Sequence, residues 1–170
     1  MLPNPPADTT THAETASGSS APAPDAMPTV LLVEDDNYVS AAIWTLLKYS
    51  NFDVTIAETG TEGLKLAGTL SPSIIILDVN LPDINGLEIC RRLKANPATS
   101  HLPVVFLSAR IEFAQEAMAV GAEIFLAKPN DVSRLADTLS QILASRAAAQ
   151  TSQRTAETAA PEVSQKRQQL

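Results

Sequence analysis

A chain of 170 residues has room for one domain with a substantial core and for tails. Its formal net charge of -7 and pI near 4.7 argue against general affinity for nucleic acid or anionic membrane, both of which reward clustered Lys and Arg. The single cysteine, Cys90, has no internal disulfide partner and lies in an apolar helical pattern, where it reads as a small buried hydrophobe.

Residues 1–27 are mostly Ala, Pro, Thr, Ser and acid, and are expected to be a disordered leader. They lack the basic start and apolar core of a secretory signal. No run in the chain approaches the roughly 20 apolar residues of a membrane span, so a cytoplasmic location without membrane insertion is expected. Five short apolar runs follow: "TVLLV" (29–33), "FDVTIA" (52–57), "SIIIL" (73–77), "PVVFL" (103–107) and "EIFLA" (123–127). Several are apolar at nearly every position, as in strands covered on both faces. Helical patterns alternate with them. After the first run, Tyr38, Val39, Ala42, Ile43, Leu46 and Leu47 recur at helical spacing, with Trp44 at the margin of the stripe. Pro82 and Gly86 bracket a bend that leads into the helix "LEICRRLKAN". After the turn signal "KPND", Val132, Leu135, Leu139, Ile142 and Leu143 form a last helix. From 147 to 170 the composition becomes polar, partly helical or disordered, with Pro161 ending any helix. The pattern predicts one α/β domain over 28–146 with a parallel sheet and helices on both faces.

In such sheets ligands gather beyond the carboxyl ends of the strands. The residues there are Glu34, Asp35 and Asp36 after the first run, Asp78 after the third, Ser108 after the fourth and Lys128 after the fifth. Carboxylates this close repel unless a cation compensates them. An oxygen cluster open to water suits Mg2+, held by Glu34, Asp35 and Asp78. Lys128 supplies a compact second positive charge and the Ser108 hydroxyl a donor, both suited to phosphoryl oxygens. Asp78 is then the natural nucleophile, because carboxylates form acyl phosphates.

The elements "LLVEDDN", "IIILDVNLPDINGLE", "PVVFLSA" and "GAEIFLAKP", with the spacing between them, resemble the receiver domain of bacterial two-component response regulators, of the single-domain chemotaxis type. The resemblance implies a doubly wound, flavodoxin-like five-stranded sheet of order 2-1-3-4-5. It makes Asp78 the phosphoacceptor, Asp35 a direct Mg2+ ligand, Glu34 a direct or water-mediated one, and the Asn80 backbone carbonyl a further one. Ser108 takes the family's hydroxyl role and Lys128 pairs with the phosphoryl group, its bond to Pro129 being typically cis. Asp36 is left to cap the first helix or face solvent. Phe125 matches an aromatic that turns inward in some receivers, so it reads as either switch or core. The implied partners are a sensor histidine kinase or phosphotransfer protein and a downstream protein target, the latter at the face of the fourth helix, fifth strand and fifth helix. Trp44 on the first helix either covers the core edge or anchors the phosphodonor protein. The chain is expected to be no enzyme beyond its own phosphoryl transfer and dephosphorylation, and to lack an output domain. Alternatives are a phosphorylation-independent interaction module, the N-terminal part of a longer response regulator, or a Mg2+ phosphohydrolase. Such hydrolases commonly place a second acid two residues after the nucleophile, where this chain has Asn80.

Overall fold

The computed structural model describes residues 27–158. Five strands, β1 (Thr29–Val33), β2 (Asp53–Ala57), β3 (Ile74–Leu77), β4 (Val104–Ser108) and β5 (Ile124–Ala127), alternate with five helices. These are α1 (Asn37–Tyr49), α2 (Gly60–Leu70), α3 (Gly86–Ala95), α4 (Ala114–Ala119) and α5 (Leu135–Thr158). Single turns of 3-10 helix, Ile111–Phe113 and Val132–Arg134, precede α4 and α5. The strands are all parallel in the order β2-β1-β3-β4-β5, the doubly wound flavodoxin-like arrangement. The leader up to residue 26 and residues 159–170, with Pro161, lie outside the described residues. Helix α5 continues to Thr158, past the point near Arg146 where the domain was expected to end.

Successive strand residues point to opposite faces, and both faces are covered. Val30, Leu32, Ile74, Ile76, Val105, Leu107 and Leu126 face one core layer, closed by Ile43 and Leu47 of α1 and Leu135 and Leu139 of α5. Leu31, Val33, Ile75, Leu77 and Phe106 face the other, closed by α2, α3 and α4 through Ala67, Ile89, Cys90, Leu93 and Ala117. This explains why β3 carries no polar residue and β4 none before Ser108: neither side of either strand meets water.

Two positions depart from the expected stripe of α1. Tyr38 is 91% exposed and Ala42 is also at the surface. The side that packs is Val39, Ile43, Leu46 and Leu47, joined by buried Ser40, whose hydroxyl donates to the Asn37 carbonyl. A helix laid on a sheet buries an arc of roughly 100°, and Tyr38 and Ala42 fall outside the arc centred on Ile43. Trp44 sits at the opposite margin, half-exposed, with the Lys48 ammonium 5.8 Å from its ring centroid. Ser108 closes β4 itself rather than following it.

Among the described residues, Gly86 and Gly68 mark the two extremes of what packing allows at a glycine. A Cβ on Gly86 would lie 2.0 Å from the Asp78 carbonyl oxygen, whereas one on Gly68, on the exposed side of α2, would meet nothing within 4 Å. Gly68→Ala is expected to raise unfolding free energy by about 0.5–1 kcal/mol. Gly86→Ala is expected to lower it by at least ~1–3 kcal/mol through overpacking against the main chain. Urea unfolding of the two variants beside the parent checks both signs.

Candidate functional site

Strand parity assembles the site. Glu34 extends the alternation of Val30 and Leu32, Asp78 that of Ile74 and Ile76, and Lys128 that of Ile124 and Leu126. All three therefore leave the sheet toward the α1 and α5 layer. The register pairs Val33 with Leu77 on β1 and β3, and the Asp78 N–H donates to the Val33 carbonyl at 3.1 Å, which sets Glu34 beside Asp78. This is the point where strand order reverses, where parallel sheets open a crevice.

The Lys128 ammonium bridges the two acids, donating to Glu34 Oε2 and, at 2.8 Å, to Asp78 Oδ2. The other Asp78 oxygen, Oδ1, accepts the N–H of Val79 at 2.6 Å and, more weakly, that of Asn80 at 3.4 Å. Glu34 is 3% exposed and Asp78 9%, while Asp35 is open to solvent. Burial disfavours the Lys128 charge, yet its hydrogen bonds and charge interactions with Asp78 and Glu34 outweigh this and raise its pKa above that of a free lysine. Glu34 is also raised, chiefly by burial and further by the Asp78 charge, with Lys128 pulling the other way.

Carboxylate oxygens of Glu34, Asp35 and Asp78 lie within 4.8 Å of one another. Hard oxygen donors, one of them open to water, form a set that fits Mg2+, which keeps several waters when bound. Asp36 is not part of it. Its Oδ1 accepts the N–H groups of Tyr38 and Val39 at 2.8 and 3.1 Å, making it the N-cap of α1.

Ser108 is 1% exposed and its Oγ accepts the Arg110 N–H at 3.3 Å, which leaves the hydroxyl proton to donate. The Arg110 guanidinium pairs with Glu112 and lies 5.1 Å from the Phe113 ring centroid. Phe125 has the opposite parity to Lys128. It is half-buried on the α2–α4 side and stacks on Phe106, with ring centroids 6.4 Å apart. The Lys128–Pro129 peptide bond is cis. Cys90 is fully buried and its thiol is pushed up to about 11 by burial, so it is packing and not a nucleophile.

Two acids that sequence reasoning passed over hold the loops on which the site stands. Asp131 accepts the Ala127 N–H at 2.9 Å and returns its own N–H to the Ala127 carbonyl at 2.8 Å, closing the turn that carries Lys128. Asp83 ties the β3–α3 loop to the start of α2 through Gly60 and Thr61. The local signal was an acid within a turn in both cases. For Asp83 the partners are 22 and 23 residues away, beyond the reach of any spacing rule.

This fold, with paired acids and a lysine at the β1/β3 crevice, defines a doubly wound α/β module with a charged site at its strand ends. Residues 30–140 match the family described as response regulator receiver domain, and the chain belongs to that family of two-component signalling domains. The chain is similar to the DNA-binding dual master transcriptional regulator RpaA of Synechocystis, 34% identical over 111 residues that make up 64% of this chain and 46% of that protein. It is also similar to the transcriptional regulatory protein CreB of Escherichia coli, 41% identical over 104 residues, covering 59% of this chain and 44% of that one. The chain thus spans less than half the length of these curated relatives. Among solved structures it resembles a putative response regulator from Chloroflexus aurantiacus, with a TM-score of 0.65 and 32% identity over 69% of this chain and 98% of that one. Among the described residues no helix is long and apolar enough to cross a membrane.

Removing the lysine isolates two buried acids facing each other. Lys128→Met is expected to cost about 3–5 kcal/mol of folding stability, as breaking a buried pair from one side does. Adding Glu34→Gln is expected to restore much of it, and a denaturant double-mutant cycle measures the coupling. Additive costs would show that the bridge carries no coupling.

Proposed function

We propose that this receiver accepts a phosphoryl group on Asp78 from a sensor histidine kinase or phosphotransfer protein, in the cytoplasm, and thereby changes which downstream protein it binds. The observation that carries the reading is the Lys128 bridge to Asp78 within a cluster where three carboxylates share one edge. A carboxylate oxygen of Asp78 attacks phosphorus, the P–N bond of the donor phosphohistidine breaks, and the leaving imidazole nitrogen takes a proton from solvent. Water later attacks the same phosphorus, releasing phosphate and restoring the carboxylate. Lys128, kept protonated by its acidic neighbours, transfers its pairing to the phosphoryl oxygens. The Ser108 hydroxyl donates to another of them. Glu34, Asp35, Asp78 and the Asn80 carbonyl are the groups that would hold Mg2+, in keeping with a family that generally depends on that ion. The bound ion supplies positive charge that offsets repulsion between the carboxylates and the incoming phosphoryl group. Beyond this transfer and the loss of the group, no enzymatic activity is assigned.

Residues 28–146 are taken as the functional unit, with the leader and the polar tail as adjuncts. The downstream protein docks at the α4, β5 and α5 face, and Phe125 is assigned the switch because it stacks on Phe106 of β4, the strand that ends at Ser108. A second reading, that this is the N-terminal receiver of a longer regulator, is favoured by the length of the curated relatives, which exceed twice their matched segments in the two cases above. A phosphorylation-independent interaction module would leave the acid, hydroxyl and lysine set without use.

Incubation with acetyl phosphate and Mg2+ is expected to add one phosphoryl group by intact mass, with none in Asp78→Asn or in chelator. An unmodified parent that also fails to bind beryllofluoride would overturn the reading. Phe125→Ala is expected to accept the phosphoryl group at the parental rate but to lose the phosphorylation-dependent change in hydrogen exchange over α4 and β5. Loss of both properties would mark the ring as core packing only.

A further inference from the structure

The loop between β3 and α3 has two kinds of anchor. At its ends the main chain is pinned locally: Asp78 Oδ1 takes the Val79 and Asn80 N–H groups, the Gly86 N–H donates to the Val79 carbonyl at 2.9 Å, and Asn85 caps α3 through the Leu87 N–H at 2.8 Å. In its middle, Leu81 and Ile84 pack against the core, which sets depth but gives no direction. The directional contact there is the Asp83 carboxylate. Its Oδ1 accepts the Gly60 N–H at 2.8 Å, and its Oδ2 accepts the Thr61 N–H at 2.8 Å and the Thr61 hydroxyl at 2.6 Å.

These N–H groups are among the donors that a helix start leaves unsatisfied, and the positive end of the helix favours a carboxylate. The helix's own cap, Thr59, is already engaged with the Glu62 N–H at 3.2 Å. The seat is shaped as well as charged. A Cβ on Gly60 would lie 2.5 Å from Ile89 Cδ1 of α3 and 3.2 Å from both Asp83 Oδ1 and Ile84 Cβ. The three hydrogen bonds, led by that of the Thr61 hydroxyl, hold the Asp83 carboxyl well below the usual carboxylate range.

We propose that Asp83 is a positioning residue for phosphoryl transfer: it latches the loop carrying the Asn80 carbonyl onto the N-terminus of α2 and so fixes the direction of that carbonyl at the metal-binding edge. The inference rests on the reading of the Asn80 carbonyl as an Mg2+ ligand. A main-chain ligand has no rotamer of its own, so its aim is set by what holds the loop, and an outer contact of this kind governs affinity without touching the ion.

The test compares the full chain with Asp83→Ala, Asp83→Asn and Thr59→Ala. The last weakens the same helix start without touching the loop. Magnesium alone is titrated by calorimetry, and amide exchange over residues 79–85 is followed without metal. Both Asp83→Ala and Thr59→Ala are expected to lower the melting temperature. Only Asp83→Ala weakens magnesium binding, by roughly tenfold, and speeds exchange in the loop, with Asp83→Asn between it and the parent. Parental affinity and parental loop exchange in Asp83→Ala, with a lowered melting temperature, would reduce Asp83 to a helix cap and overturn the proposal. A parent that binds no magnesium would instead sink the metal-ligand reading and the proposal with it, and the exchange data would then show whether the latch exists on its own.

Discussion

The Lys128 ammonium between Glu34 and Asp78 is the contact on which the site depends. Two nearly buried carboxylates on adjacent strands would repel strongly in a low-dielectric edge. The lysine that separates them comes from β5, with β4 lying between β3 and β5. This holds only while β1, β3 and β5 keep one register, because a slip of one residue in any of them would send its acid or its lysine to the opposite face. A buried bridge of this kind contributes little net stability, yet opening it from one side is costly. It is better understood as fixing which side chains share the crevice.

The two-layered core supplies the frame for that contact. Parity sends Glu34, Asp78 and Lys128 toward the α1 and α5 layer, and Phe125 into the α2–α4 layer against Phe106. Phe106 and Ser108 lie two residues apart on β4, so the Ser108 hydroxyl and the stacked ring pair are joined by one strand. Close-packed layers transmit displacement because their side chains have few alternative arrangements.

Six acids stand near this edge, and their chemistry alone does not sort them. Asp36, Asp83 and Asp131 each face backbone N–H groups and serve as caps or turn closures. Glu34, Asp35 and Asp78 face one another. Asp78 also accepts backbone N–H groups through Oδ1, so what sets the second group apart is that its carboxylates share space with one another and, for Glu34 and Asp78, with the Lys128 ammonium.

By itself the sequence determined the strands, since runs such as "SIIIL" are apolar at every buried position, and with them the list of residues beyond each strand end. It also pointed to Asp78, Glu34, Asp35, Ser108 and Lys128 as one group, because parallel strands present their ends together. Only the tertiary structure decided that Asp36 serves α1, that Tyr38 and Ala42 face water while Ser40 is buried, and that Asp83 reaches back to α2. Periodicity reports which residues can share a face, but not how wide an arc the neighbouring layer covers. Nor can a run of sequence show which distant backbone donor a carboxylate will meet, because that partner is supplied by another segment once the sheet has closed.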